Sequence, residues 1–260
     1  MIRGLYTAVS GMITQEAKQD VITNNMATVN TTSFKVDNLV IKKFDDVLIQ
    51  NFDKVVGGKN VQNILGSLSM GSRIDENTTD FTSGIIETTE KSTDFAIHGK
   101  GFFVVASNDG INNKEVYTRD GHFHVNAQGF LLTDGGDSVL GKNLATGKTE
   151  PIYIGKGSMQ SDEKGNISVD GAAKYKIKTV DFDNYKQLIK IGSNLYEGQA
   201  PIESDNILIK QNSLEKSNVN IINEMTNMMT VMRTFEANQK VVQAMDETLG
   251  KAVNEVGTVR

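Results

Sequence analysis

The sequence predicts an α+β protein in which helices at the two chain ends pair as a coiled coil around a central, antiparallel β-rich domain. Of the 24 glycines, 20 lie between Gly57 and Gly198, and the two prolines, Pro151 and Pro201, are also absent from both chain ends. The two ends instead carry regularly spaced apolar residues. Because glycine and proline mark turns and interrupt helices, we expect helices at the ends and short strands between them.

The C-terminal end carries the clearest pattern. Apolar residues recur there at strict seven-residue intervals, and a second row begins at Met225 and Met232 and continues at Met245 and Ala252. Sustained heptads are typical of a coiled-coil seam. We predict that the first row is an assembly seam, formed by Ile221, Met228, Phe235, Val242, Leu249 and Val256.

The N-terminal end has a shorter amphipathic pattern. Ile2, Leu5, Val9, Met12 and Ile13 follow the spacing of one helix face. A helix of about 25 residues would be ~37 Å long. Two such helices can bury their apolar stripes against each other, but apolar surface is left over, so neighbouring chains are the expected further partner.

The middle of the chain is predicted to be antiparallel β-structure, as a barrel or a sandwich. Asp120-Gly121 and Asp134-Gly135-Gly136 are turn signals between alternating apolar runs. We therefore divide the chain into three parts. These are a helical coiled-coil assembly domain (1–30 with 216–260), extended connecting segments (31–89 with 191–215) and a central β domain (90–190) that is expected to fold without either terminus.

Composition excludes several classes of protein. The net charge of −5 and the pI near 5.3 argue against a nucleic-acid-binding surface. The absence of cysteine excludes disulfides, thiolate catalysis and zinc sites built on cysteine. No apolar run reaches the roughly 20 residues of a membrane span, and the N-terminus does not have the pattern of a Sec signal peptide.

The candidates for chemistry are weak. His122 and His124 alternate along a predicted strand and would share one face, but no third ligand completes a metal site, so structural or exposed histidines are the preferred interpretation. Asp134 to Asp137 lack the series of regularly spaced oxygen ligands found in a calcium-binding loop and are better explained as a hairpin turn. Neither a phosphate-binding loop nor a serine-nucleophile motif is present. We expect no catalytic residues, no cofactor and no bound metal, and therefore no enzyme.

One polar segment carries a resemblance. The stretch NNMATVNTTSFK resembles the signature of flagellar axial proteins, the rod and hook components, and the matching residues, here called the assembly motif, are Asn24, Asn25, Ala27, Asn30, Thr31, Phe34 and Lys35. FAIHGKGFFVV and YTRDGHFHVNAQGFLLTDGGDSVLG are similar to the central block of this family, and SNVNIINEMTNMMTVMRTFEANQKVVQAMDETLGKAVN to its C-terminal block. The resemblance implies that the Asn/Thr patch is the exit from the first helix, where its side chains cap the helix and bond the backbone of the next segment.

Two positions depart from the signature. Thr28 stands where asparagine is usual, and Ser33 stands where glycine is usual. Because glycine adopts positive φ far more readily than serine, Ser33 argues against a turn that needs positive φ.

The resemblance implies a structural role in the bacterial flagellum. The chain would be a subunit of the basal-body rod, polymerising helically into the drive shaft that transmits torque to the hook, with itself, other rod proteins and the hook protein as partners. It would leave the cell through the flagellar type III export apparatus and reside in the basal body outside the cytoplasmic membrane. A length of 260 residues with one central β block favours a rod member over the longer hook proteins. Two alternatives stay open: a glycan-binding or enzymatic β domain, and an adhesin-like protein that uses flagellar export.

Overall fold

The computed structural model describes residues 2–56, 59–108, 113–155, 157–192, 194–204 and 207–256. These residues form an α+β protein with one helix towards each chain end and strands between them in the sequence. They divide into two compact units. The first contains the described residues of Met1–Met26, Asp37–Thr78 and Ile221–Arg260, and the second those of Ala27–Val36 and Thr79–Asn220.

Two helices dominate the first unit. Helix α1 spans Ile2–Ala27, and helix α2 spans Ile221–Lys251 and is followed by a π-helical turn at Ala252–Val256. Neither helix contains a proline, which would remove a backbone donor and clash with the preceding turn. The predicted helices at the two chain ends are confirmed. Gly250 lies inside α2 and does not end it.

Two small sheets complete the first unit. Strand β1 pairs with β4, while β2 and β3 pair antiparallel with each other; their bounds are Asp37–Lys43 (β1), Val47–Val56 (β2), Lys59–Leu68 (β3) and Ser72–Thr79 (β4). Among the described strands, β2 and β3 have no partner other than each other. The sequence predicts only an extended connection for residues 31–89, so the long antiparallel pair of β2 and β3 is a finding of the structure.

The second unit is built almost entirely of short strands. They are β5 (Ile86–Thr88), β6 (Phe95–His98), β7 (Phe102–Asn108), β8 (Asn113–Thr118), β9 (Phe123–Val125), β10 (Leu131–Thr133), β11 (Ser138–Asn143), β12 (Thr149–Pro151), β13 (Met159–Ser161), β14 (Asn166–Val169), β15 (Ala172–Ile177), β16 (Thr179–Asp181), β17 (Ile189–Lys190), β18 (Leu195–Glu197), β19 (Ile202–Glu203), β20 (Leu208–Gln211) and β21 (Ser213–Glu215), with a 3₁₀ turn at Tyr185–Gln187.

Thirteen of the described strands form one branched sheet. Its main path runs β13-β14-β15-β11-β7-β8-β18-β17, and β9, β10, β12, β16 and β19 pair beside it. The pairs within this sheet are antiparallel, as the sequence predicts. Two smaller pairs join distant parts of the chain: β20 with β6, and β21 with β5.

Glycine-containing turns set the hairpins of this sheet. Between β10 and β11 the amide of Thr133 donates to the carbonyl of Asp137 at 2.9 Å, and Gly136 between them has φ +89°. That backbone conformation favours glycine. The interpretation of Asp134 to Asp137 as a hairpin turn is therefore confirmed.

The core lies on both faces of the sheet at β7. Successive residues of a strand point to opposite faces, and Phe102, Phe103, Val104 and Val105 are all fully buried. Phe103 and Val105 join the larger apolar cluster, and Phe102 and Val104 join a smaller aromatic one. A strand buried on both faces reads as a continuous apolar run, which is the pattern of FFVV.

The second unit extends well beyond residues 90–190. Ile207 and Ile209 belong to the larger core cluster, and Tyr196 belongs to the smaller one. Residues 27–36 also belong to this unit. The grouping differs from the three-part division expected from the sequence because buried contacts, rather than glycine density, define a compact unit.

This grouping gives a first prediction about fragments. A fragment of residues 90–190 lacks Tyr196, Ile207 and Ile209, each of which contributes about 1.5–3 kcal/mol of burial. We expect it to melt without a cooperative transition, whereas a fragment of residues 79–220 should melt cooperatively. Circular dichroism of both fragments checks this, and cooperative melting of the shorter one would contradict it.

Candidate assembly site

Asn25 of the assembly motif fixes the chain where it leaves α1. Its side-chain amide donates to the carbonyl of Asp37 at 2.9 Å and accepts from the amide of Asp37 at 3.1 Å. Both residues are buried. The predicted bond from the Asn/Thr patch to the following backbone is confirmed for this residue. Because Asn25 satisfies both backbone groups of Asp37, it holds the beginning of β1 in the way a neighbouring strand would.

Phe34 and Lys35 of the motif also point inward. Phe34 is 1% exposed, and the ammonium of Lys190 lies 4.0 Å from the centre of its ring. Lys35 is fully buried, and its Nζ donates to Glu215 Oε1 at 2.7 Å and to the carbonyl of Thr82 at 2.8 Å. A buried ammonium needs such partners, because an unpaired charge is costly away from water.

Glu215 of β21 is the centre of this cluster. Besides Lys35, its carboxylate accepts from Arg119 Nε at 3.2 Å and from the amide of Gly84 at 2.7 Å. The side chains of Lys35 and Glu215 are 0% exposed, and that of Arg119 is 1% exposed. Desolvation lowers the pKa of the Lys35 ammonium from its ordinary value, and the charge of Glu215 opposes this shift. We call Lys35, Arg119 and Glu215 the buried ion cluster.

A second polar contact attaches the motif segment to the β strands. Thr32 Oγ1 donates to Asp120 Oδ1 at 2.8 Å, and Asn194 Nδ2 donates to the carbonyl of Thr32 at 2.8 Å. Burial raises the pKa of the Asp120 carboxyl, while hydrogen bonds from the amide of His122 and the side chains of Thr32 and Asn194 act in the opposite direction. Thr32 is thus held to the β strands through both its hydroxyl and its carbonyl.

Helices α1 and α2 approach each other at two glycines. A Cβ added to Gly4 would lie 2.6 Å from Met245 Cε, and one added to Gly11 would lie 3.0 Å from Asn238 Nδ2. Gly4 and Gly11 are seven residues apart, as are Asn238 and Met245, and the order along the two helices is opposite. Val242 lies three residues from Met245 and four from Asn238, so it is on the same face of α2.

Both helices and many of the strands between them lie in regions that match family models. Three family models match the chain: "Flagella basal body rod protein" over residues 5–35, "Flagellar hook protein FlgE/F/G D1 domain" over 96–179 and "Flagellar basal body rod FlgEFG protein C-terminal" over 210–255. The flagellar basal-body rod protein FlgG of Bacillus subtilis is 34% identical, and the alignment covers 98% of this chain and 99% of the relative. The chain belongs to the flagellar basal-body rod family. It is a structural rod subunit of the flagellar basal body and not an enzyme.

Two further relatives have the same extent as this rod protein. The flagellar basal-body rod protein FlgF of Caulobacter vibrioides is 31% identical, with complete coverage of both chains. FlgG of Borreliella burgdorferi is 33% identical, with 98% of each chain covered. Among the described residues of the rod protein, no helix is long and apolar enough to cross a membrane.

The other residues of the assembly motif have a different environment from Asn25, Phe34 and Lys35. Asn24, Ala27 and Asn30 are exposed, and Thr31 is half-buried. The motif of the rod protein therefore has an inward set that holds the chain together and an outward set on the surface.

The assembly seam is covered unevenly. Met228, Phe235, Val242 and Leu249 are half-buried, Ile221 is exposed, and the side chain of Val256 lies outside the described residues. The first two residues predicted for the second row, Met225 and Met232, are exposed. The residues just before them, Glu224 and Val231, are buried instead, so this part of the prediction is wrong by one position. The reason is that polar Glu224 and Asn238 occupy inward heptad positions, so apolarity alone does not show the row.

Ser33 adopts the conformation that glycine would favour. Its φ is +55°, it is buried, and its amide donates to the carbonyl of Glu215 at 2.7 Å. The expectation that serine argues against a positive-φ turn is therefore wrong at this position. The short chain between α1 and Lys35 requires the turn, and its hydrogen bond to β21 helps to stabilise the strained residue.

A Ser33→Gly variant is expected to be more stable than the parent. Glycine removes the left-handed strain, which costs a non-glycine residue roughly 1–2 kcal/mol, and the Ser33 hydroxyl makes only a long 3.5 Å contact with the carbonyl of Glu215. We expect a gain of about 0.5–1 kcal/mol after the entropy cost of glycine. Chemical denaturation measures it. Ser33→Ala serves as the control, because it removes the hydroxyl but keeps the strain, and a less stable Ser33→Gly variant would contradict the argument.

The histidines of the rod protein take part in surface contacts. His122 Nδ1 lies 3.2 Å from Asp134 Oδ2, and His124 Nδ1 lies 3.6 Å from Asp134 Oδ1. Lys91 Nζ lies 3.5 Å from His122 Nε2. Across the described residues, no group of three histidine, cysteine, aspartate or glutamate side chains has a geometry that could hold a metal ion.

Glu215 and Arg119 are not among the site residues predicted from the sequence, and Asn218 is predicted only as an N-cap candidate of α2. Glu215 was placed in a connecting segment, and Arg119 was noted only as part of a family block. Asn218 accepts from the amide of Val36 at 2.8 Å and donates to the carbonyl of Asp80 at 2.9 Å. One sequence pattern could have identified Glu215 as a buried residue. Ser213 and Glu215 alternate around Leu214, which places both polar residues on one face of a strand.

Proposed function

We propose that this rod protein is a distal rod subunit that polymerises helically into the drive shaft between motor and hook and transmits torque. Two relatives called FlgG, at 34% and 33% identity, are somewhat more similar than the FlgF relative at 31%, while other FlgG relatives are 29–30% identical. The partners would be further copies of the same chain, other rod proteins and the hook protein. Export through the flagellar type III apparatus and a final position outside the cytoplasmic membrane complete this proposal.

The observation that carries the proposal is an exposed apolar row on α2. Ile222, Met225, Met229 and Met232 are 47–71% exposed and follow helical spacing on one face. The hairpin of β2 and β3 adds further exposed apolar residues, including Phe52, Ile64 and Leu65. Exposed apolar surface of this extent is typical of an interface. Methionine suits repeated contacts, since its flexible side chain adapts to slightly different neighbours.

In this proposal two faces of α2 have different roles: an inner row of residues faces α1, and the exposed apolar row, here called the outer row, faces away from it. The inner row, with Val242, Met245 and Asn238, pairs α2 with α1 as an antiparallel coiled coil within the chain. The outer row, with Met225, Met229 and Met232, contacts α-helices of neighbouring subunits. The heptad spacing of Gly4 and Gly11 against Met245 and Asn238 supports the pairing, because small residues at repeated positions let two helices approach closely.

A charge in the outer row tests this function. Met229→Glu is expected to stop rod assembly in a strain that carries no other copy of the gene, so electron microscopy should show incomplete basal bodies without hooks. Helix pairing within the chain should persist. It can be measured as disulfide formation in a Gly11→Cys/Asn238→Cys version, because the chain has no native cysteine.

Thr230→Glu is the matched control, because it adds the same charge at the next residue of α2, an exposed polar position. Successive side chains of an α-helix point about 100° apart, so residue 230 lies outside the outer row. This variant should assemble normally. Complete rods and hooks in the Met229→Glu strain would overturn the proposed role of the outer row.

A further inference from the structure

The buried ion cluster joins three parts of the chain through one carboxylate. Lys35 comes from the segment after α1, Arg119 follows β8, and Glu215 is the last residue of β21, before α2. Lys35 and Glu215 are 180 positions apart, and Arg119 and Glu215 are 96 apart. The segment that follows the first helix and the segment that precedes the second are therefore bound by the same side chain.

The charges of the cluster are unequal. Two cations face one anion. The cations donate their other hydrogen bonds to neutral carbonyl oxygens, Lys35 to Thr82 at 2.8 Å and Arg119 to Gly99 at 2.6 Å. Asp80 is a further acidic group whose charge acts on Lys35. Removal of either cation leaves a balanced pair, whereas removal of Glu215 leaves two buried cations without their shared partner.

Backbone and amide contacts join the same two segments beside the cluster. The amide of Ser33 donates to the carbonyl of Glu215 at 2.7 Å, and the amide of Asn218 donates to the carbonyl of Phe34 at 3.3 Å. The Asn218 side chain accepts from the amide of Val36. Each segment thus supplies the other with hydrogen-bond partners as well as with charge.

We propose that Glu215 is a latch that makes the attachment of residues 31–36 and residues 213–218 to the β strands mutually dependent. Without the first segment, Glu215 loses Lys35 and the hydrogen bond from the amide of Ser33. Without the second, Lys35 and Arg119 lose their common counter-charge. The two segments therefore attach and detach together, while the core around β7 and β8 stays folded.

Hydrogen exchange of the purified full-length protein tests the latch. In a Glu215→Gln variant, which keeps an oxygen for the amide of Gly84 but loses the charge, the amides of Ser33, Val36 and Asn218 are expected to exchange at least tenfold faster than in the parent. The amide of Val104, which is bonded to the carbonyl of Lys178 in the core, should keep its rate. Faster exchange in only one of the two segments, or no change in either, would overturn the proposal.

Neutralising Lys35 provides a second test of the latch by hydrogen exchange. In a Lys35→Met variant the pair of Glu215 and Arg119 remains balanced, so exchange should rise less than in Glu215→Gln, but it should rise in both segments together. Adding Lys35→Met to Glu215→Gln is expected to slow exchange relative to Glu215→Gln alone, because one uncompensated cation is removed. If Glu215→Gln does not fold, the exchange rates of Lys35→Met still test the latch. Faster exchange in both segments would support it, and faster exchange confined to residues 31–36 would refute it.

Discussion

Val242→Asp is expected to abolish rod completion and motility while the β-rich unit keeps its melting temperature. Val242 is half-buried on the face of α2 that includes Asn238 and Met245. If helix pairing and assembly cover this face as proposed, an aspartate there is buried without a partner, at a cost of about 3–5 kcal/mol per subunit. The cost recurs in every subunit of a polymer, so assembly should fail abruptly. Motility in soft agar and electron microscopy of basal bodies measure the outcome.

Two exposed positions of α2 are controls for the Val242 variant. Gln239→Lys and Lys240→Glu change charge on the same helix at exposed residues and should be tolerated. Lys240 is the cleaner control, because Gln239 is next to inward-facing Asn238. Thermal melting of purified Val242→Asp should show the transition of the β-rich unit unchanged. A motile Val242→Asp strain with normal hooks would refute the need for this face of α2 in helix pairing and in assembly.

Gly121→Ala is expected to destabilise the β-rich unit by ~3 kcal/mol, near the upper end of what overpacking costs. Gly121 is buried, and its carbonyl accepts from the amide of Phe95 at 3.0 Å. A Cβ at this position would overlap the carbonyl oxygen of Phe95 and approach the ring of Phe103. The backbone of β6 would have to move away, which opens the core. In a unit of this size the melting temperature should fall by about 6–12 °C.

Gly135 and Gly136 provide matched controls in the next turn. A Cβ at Gly135 would meet only ordinary contacts, from 3.6 Å outwards, so Gly135→Ala should leave stability nearly unchanged. A Cβ at Gly136 meets nothing within 4 Å, but its φ is +89°, so Gly136→Ala should cost about 1 kcal/mol from backbone strain alone. If Gly121→Ala lowers stability no more than Gly136→Ala does, the argument that the Phe95 backbone leaves no room for a Cβ at position 121 is wrong.

Much of the fold could be predicted because its signals are local. The seven-residue repeat reports which side of α2 is covered, and the observed α1 of 26 residues matches the helix of about 25 expected from amphipathic spacing. The Asp134-Gly135-Gly136 turn followed from the backbone freedom of glycine. Three ordered blocks of residues were sufficient to identify the family resemblance.

Other features could not be predicted because they depend on partners far away in the sequence. Heptad counting by apolarity placed Met225 and Met232 in the second row, although buried Glu224 shares the inward face with Val231. Ser33 reads as an unfavourable residue for a left-handed turn until the hydrogen bond from its amide to Glu215 is known. Ile207 and Ile209 looked like part of a connection, and only their contacts show that they complete the core.

The sequence by itself determined the helices at the chain ends, the turns between the strands and the membership of the rod family. Each depends on backbone preference or on side-chain periodicity over a few consecutive residues. Only the tertiary structure decided that Lys35, Arg119 and Glu215 form one buried cluster and that the motif divides into inward and outward residues. A charge in the sequence carries no information about its partner, since a buried ion pair depends on which distant segments the fold brings within about 3 Å of each other.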